Sequence, residues 1–159
     1  MSAIASFIQL PSRALAGLRT AAVPQKTLFG ATRDKYDEYL EQNGRPVAEY
    51  PWSGYVLATL LTYLEGRGIG LMDSEHDELS SFLTNARGAT HFVFTHDQKL
   101  AYLDKLSGPY SEDELRDYYN EFYGAAEPDA GKPMLDGITA FRDSWAAIEK
   151  DSIVLFSIG

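Results

Sequence analysis

The chain has 159 residues, 45% of them hydrophobic and 23% charged, enough for one globular domain with a substantial core. It contains no cysteine, which excludes a disulfide framework, thiolate metal sites and cysteine nucleophiles and fits a reducing cytoplasm. The formal charge of −9 is unevenly placed: residues 1–33 carry Arg13, Arg19, Lys26 and Arg33 and no acid, while the remainder carries 10 basic and 23 acidic residues. A mostly acidic surface repels phosphate backbones, so nucleic acid is set aside as a partner; the charge serves solubility alone or suits a basic protein partner. No run of about 18 apolar residues exists, so no membrane-spanning helix is expected.

In chain order, residues 3–10 alternate as a first strand, with Ile4, Ser6 and Ile8 on one face and Ala5, Phe7 and Gln9 on the other. That alternation argues for a folded start over a transit peptide, despite the absence of acids. Arg13 to Arg19 reads as a short helix weakened by Gly17, and residues 22–30 as a loop broken by Pro24 and Gly30. Thr32 is the expected N-cap of a helix running to Gln42, with Tyr36, Tyr39 and Leu40 as its apolar face and Asn43-Gly44 as its stop.

Pro51 to Glu65 is the stretch around which the chain is organised. Trp52, Val56, Leu60 and Leu64 recur every fourth residue, and Leu57 and Leu61 widen that stripe. A helix this apolar is expected inside the body, with neighbours on two sides. Gly66, Gly68 and Gly70 end it. Ser74 caps a helix from Glu75 to about Ala86, with Gly88 at its C-terminal end.

Thr90 to Phe94 reads as a short strand, and Thr95 with Gln98 forms a T-x-x-Q capping box for a helix carrying Leu100, Leu103 and Leu106. Ser111 and Glu114 form a second capping box, for a helix showing Leu115, Tyr118, Tyr119 and Phe122. Residues 125–133 are loop-like. Met134, Ile138, Phe141, Trp145 and Ile148 then keep a strong amphipathic spacing. Residues 153–158, IVLFSI, are apolar on both faces and mark an interior strand in the middle of its sheet. The expected architecture is one α/β (α+β) domain over residues 1–159, helix-rich, with a small mixed β-sheet.

Taken in order, the chain resembles a known family. The opening strand SAIASFIQL, the Trp52-led helix, the strand running into Thr95, Gln98, Leu100 and Ala101, then Asp104 and Leu106, the Glu114–Arg116 E-L-R and the closing strand to Gly159 are similar to the YfbM-like family of small bacterial proteins of unknown function. The resemblance covers most of the chain and is weakest at 21–50 and 66–88. It implies a single α/β domain in a bacterial cytoplasm and supplies no catalytic residues.

The residues themselves hold no strong catalytic or binding motif; no nucleophile elbow, P-loop or paired-carboxylate pattern is present. Four weaker clusters stand out. His91, His96 and Asp97 flank a strand and begin a helix; a histidine beside a carboxylate serves as a general base or metal ligand, or Asp97 simply suits a helix start. Asp73, Glu75, His76, Asp77 and Glu78 offer oxygen ligands but lack the spacing of a calcium loop. GRGIG at 66–70 follows a helix, not a strand, and reads as a turn.

The fourth cluster is aromatic. Tyr118 and Phe122 share one face of their helix, and Tyr119 and Tyr123 share another, beside Asp117 and Glu121. Rings with acidic neighbours make a recognition surface for a basic protein, or the helix is an ordinary amphipathic one whose Tyr hydroxyls reach water. The leading expectation is therefore a non-catalytic interaction protein, inhibitor- or immunity-like, binding through Tyr119, Tyr123, Asp117 and Glu121, with no cofactor and no metal. The alternative is a small enzyme or ligand binder with a pocket near His91, His96 and Asp97. The oligomeric state is left open.

Overall fold

The computed structural model describes residues 2–159. Its elements in order are β1 (Ala5–Pro11), a 3-10 turn (Ser12–Ala14), α1 (Leu15–Ala21), β2 (Gln25–Lys26), β3 (Thr32–Arg33), α2 (Tyr36–Asn43), β4 (Arg45–Pro46), α3 (Gly54–Gly66), α4 (Asp77–Arg87), β5 (Thr90–Phe94), α5 (His96–Leu106), α6 (Glu112–Tyr123), α7 (Gly131–Ala146) and β6 (Ser152–Ile158). The α+β class is as expected. The main sheet has the order β4-β1-β6-β5, and every pairing is antiparallel, so it is not mixed.

β6 lies between β1 and β5, with Phe156 opposite Phe7 on one side and Phe92 on the other. This is where its two-sided apolar sequence belongs. Strand parity sends alternate residues into two separate cores. Phe7, Phe94, Val154 and Phe156 face α3, α5, α6 and α7, and Leu10, Val93, Ile153 and Leu155 face α1, α2 and α4. The ring of Phe156 stacks on Phe7 at 4.8 Å and meets Phe141 of α7 edge-on at 5.3 Å.

The hub is α7. Met134, Ile138, Phe141 and Trp145 are all fully buried, at the three- and four-residue spacing read from the sequence. α3 packs on α7 and α6, but it does not take up the whole Pro51–Glu65 stretch. Ser53 is its N-cap, accepting from the Tyr55 N–H, so Trp52 stands before the helix and is 40% exposed. Leu57, Leu60, Leu61 and Leu64 are buried, whereas Tyr55, Ala58, Thr62 and Glu65 form an open edge. The helix is therefore half-clad rather than sealed.

Other boundaries also move. Residues 25–33, read as a loop and a helix start, form the small β2–β3 hairpin, with Gln25 opposite Arg33. α2 begins at Tyr36 instead of after Thr32, because Asp34 captures the Tyr36 N–H at 3.1 Å. α4 begins at Asp77, not Glu75, and closes on Gly88, whose φ of +73° needs no Cβ. β5 and the Thr95/Gln98 capping box stand where the sequence places them. Only half of the second box forms: Ser111 accepts from Glu114 N–H, but the Glu114 carboxylate turns away to Tyr63 and Arg67. Leu100, assigned to an apolar face, is 72% exposed.

Candidate functional site

α6 carries the aromatic cluster. Its apolar anchor is Leu115, fully buried against the α7 side of the core. Tyr118 is half-buried and meets Tyr63 of α3 at 4.9 Å. One turn on, the rings leave the core: Phe122 is 52% and Tyr123 49% exposed. Their centroids lie 5.0 Å apart, and Tyr119 lies 4.8 Å from Tyr123. The two faces inferred from helical spacing thus merge into one surface of rings.

That surface is held in place from α3. The Tyr123 and Thr59 hydroxyls hydrogen-bond at 2.8 Å, and Thr59 sits one turn beyond exposed Tyr55. Tyr50 donates its hydroxyl to the Pro133 carbonyl, and burial, then Asp136, then Tyr119 push its phenol well above the ordinary range. Asp136 accepts from the Trp52 indole N–H at 2.9 Å and pairs with Lys132 at 3.1 Å. Burial, then Tyr123 and Glu127, raise Tyr119 as well. The Tyr50 and Tyr119 phenols are therefore neutral and act as hydrogen-bonding groups.

The segment that bears the rings is acidic. Residues 112–136 contain eight acidic and two basic residues. Asp113 and Asp117 are drawn onto Arg116, and Glu114 onto Arg67. Glu121 and Glu127 make no ion pair among the described residues and lie exposed. Of the four residues expected to bind a partner, Tyr119, Tyr123 and Glu121 present free surface, whereas Asp117 already shares a guanidinium within its own helix. The apolar stripe read from the sequence includes Trp52 and leaves Tyr55 without a face, yet both lie exposed. The signal for Tyr55 was available: it lies in line with Ala58, Thr62 and Glu65.

The histidine cluster does not assemble. His91 is buried on the β5 face that looks toward α2 and α4, and its ring lies 6.1 Å from that of Tyr36. His96 and Asp97 begin α5, which packs on α7 across the other face of the sheet. No hydrogen bond joins His91 to either among the described residues. Both His91 nitrogens are already engaged, with Tyr36 and the Ala89 carbonyl. The three side chains therefore do not converge on one pocket: His91 borders a cleft with Asp73, Asp77, Ser80 and Thr84 that neither His96 nor Asp97 lines.

The acidic run 73–78 is a helix start. Asp77 accepts from the Ser74 N–H at 2.8 Å, Ser74 accepts from the His76 N–H, and Glu78 pairs with Arg19 at 3.0 Å. Among the described residues no group of three or more histidine or acidic side chains is gathered as metal ligands would be. The GRGIG segment is a turn, with Ile69 buried and Arg67 lying over the Tyr63 ring at 4.9 Å.

At the far side of the molecule the β2–β3 hairpin projects, with Leu28 and Phe29 fully exposed at its tip. No protein-family model, no curated protein and no solved structure matches this chain.

Proposed function

We propose that this is a non-catalytic protein-interaction module, inhibitor- or immunity-like, that receives a basic partner surface on the ring-bearing face of α6 and α3. The observation that carries the reading is the ring cluster of Tyr119 with exposed Phe122 and Tyr123 on α6, tied through Tyr123 to Thr59 of α3, on a helix that also bears the exposed Glu121, unpaired among the described residues. Half-exposed rings have apolar area left to bury, at about 1.5–3 kcal/mol for a large side chain fully covered. Tyr and Trp are also the side chains most often found at the energetic centre of interfaces. The surrounding carboxylates steer a cationic partner and set its orientation.

Affinity purification from the native host with the full chain and with a Tyr123→Ala, Glu121→Lys variant tests it. A basic protein recovered by the first and lost by the second supports the reading. Equal recovery by both, or no protein above background, removes it.

The YfbM-like relationship, and with it a bacterial cytoplasmic origin, belongs to the same proposal. It rests on the ordered run from the opening strand through Thr95 and Gln98 to the closing strand. A YfbM-like protein structure lacking the β4-β1-β6-β5 antiparallel order would end it.

A further inference from the structure

On the opposite layer from α6, a cleft of about 450 Å³ lies between α1, α2 and the β2–β3 hairpin. We propose that this cleft is a binding site for a small anion, a phosphate monoester or a carboxylate with an apolar or ring portion, held by Arg33 and Lys35.

The charges come first. The cleft lies against the acid-free N-terminal segment of a chain that is otherwise strongly acidic. Arg33 and Lys35 both line it, and neither makes an ion pair among the described residues. Four guanidiniums are occupied by carboxylates, Arg19 by Glu78, Arg67 by Glu114, Arg87 by Asp34 and Arg116 by Asp113 and Asp117, and Arg45 donates to Gln9. Arg13 and Arg142, like Arg33, make no ion pair among the described residues but do not line this cleft. The one acid between the two free cations, Asp34, is turned away. Its Oδ2 accepts from Arg87 at 2.7 Å and its Oδ1 from the Tyr36 N–H at 3.1 Å. The sequence thus places a neutralising carboxylate beside Arg33 and Lys35, and the fold uses it elsewhere.

The remaining walls suit an anion that carries an organic part. Gln25 stands opposite Arg33 across the hairpin and adds a neutral hydrogen-bonding group, while the Thr20 hydroxyl donates to the Ala16 carbonyl and one Gln42 amide N–H to Glu38. Glu38 is the only carboxylate lining the cleft; its Oε1 accepts from the Gln42 amide at 3.1 Å, which leaves Oε2 for a hydroxyl or amine on the ligand. The apolar wall is Val23, Ala21 and the ring of Tyr39. That ring is fixed, because the Tyr39 hydroxyl donates to the Ala14 carbonyl at 2.6 Å.

Gly17 is explained by the same wall. A glycine inside a helix costs about 1 kcal/mol against alanine. A Cβ at position 17 would stand 2.3 Å from the Tyr39 hydroxyl oxygen and 2.8 Å from the ring carbon that bears it. The residue keeps the ring against the α1 backbone. A guanidinium presents a planar fork to a phosphate or carboxylate, and an ammonium adds a mobile point charge. Together with a ring wall they define the class of ligand.

Backbone amide NMR titration of the full chain, with phenyl phosphate in one series and benzoate in another, tests this. Saturable shifts confined to the cleft residues are expected, with a Kd on the order of 1 mM or tighter. The larger affinity of the two identifies the anion. Arg33→Gln with Lys35→Gln weakens binding by about tenfold or more, the loss of roughly 1.4 kcal/mol; both positions are exposed, so the fold survives. Arg13→Gln, which removes a charge from the same layer outside this cleft, leaves binding unchanged. No saturable shift in either series, shifts centred away from the cleft, or equal losses in Arg13→Gln and in the double variant would overturn the assignment.

Discussion

The Tyr36 hydroxyl oxygen lies 3.0 Å from Nε2 of His91, in the layer between α2 and β5. The other ring nitrogen, Nδ1, lies 2.8 Å from the Ala89 carbonyl oxygen, which only accepts. Nδ1 therefore carries the proton, Nε2 accepts, and Tyr36 donates. Arg87 lies over the Tyr36 ring at 4.5 Å and holds Asp34, so one surface ion pair covers a buried polar contact. Burial, only partly offset by Arg87, pushes the Tyr36 phenol up to about 12.

Tyr36→Phe removes the donor and leaves Nε2 unsatisfied in a buried site. The cost of such an orphan is about 1–3 kcal/mol. Urea unfolding at pH 8 is expected to show that loss with an unchanged m-value. A variant as stable as the parent would mean that water reaches the nitrogen.

Stability falls as pH drops below His91's unfolded value. Burial first, and the nearby Arg87 charge, lower the His91 pKa below its usual 6.5, while the Ala89 carbonyl works in the opposite direction. The neutral ring is favoured in the folded state, so the unfolded chain binds more protons below that pH. The contribution is fully present above about pH 6.5 and is lost as pH falls toward the depressed folded value. Denaturation midpoints from pH 8 to pH 5 are expected to fall more steeply for the parent than for His91→Gln.

Thr95 and Gln98 are coupled. The Thr95 hydroxyl accepts from the Gln98 N–H, and the Gln98 side-chain oxygen accepts from the Thr95 N–H at 2.9 Å. The Gln98 amide also donates to the Asp73 carbonyl at 2.8 Å, tying the start of α5 to the loop before α4. Thr95→Ala is expected to cost about 1 kcal/mol, the usual loss of a cap. Gln98→Ala costs more, because it frees the buried Thr95 N–H and also releases the Asp73 carbonyl. A double-mutant cycle on chemical unfolding reads the coupling; strict additivity would show that the two bonds act independently.

Two leucines of α5 separate surface from core. Leu106→Ala, at a fully buried position, is expected to lose about 2–5 kcal/mol. Leu100→Ser, at 72% exposure, stays within about 0.5 kcal/mol of the parent. Thermal unfolding of the pair distinguishes them, and a large loss at Leu100 would mean that this face is covered in solution.

Local chemistry determined much of this protein from sequence alone. Apolar spacing defined α7 and β6, because a fully buried helix face and a two-sided strand leave little choice of residue. The capping box set the start of α5, because both of its hydrogen bonds lie within four residues. The Tyr and acid content of α6 was legible as a surface for the same local reason: four rings on one helix exceed what a single core can take.

Tertiary structure decided the rest, where partners come from far along the chain. Trp52 looked like core until Ser53 capped α3 and Asp136, 84 residues on, took its indole N–H. Asp34 reads as a helix-start acid in sequence; Arg87 turns it aside and leaves Arg33 and Lys35 unpaired. His91 and His96 are five residues apart, yet strand parity sends one beneath α2 while the other begins a helix of the opposite layer. Spacing fixes which face of its own element a side chain takes, but the packing of distant segments fixes what that face meets.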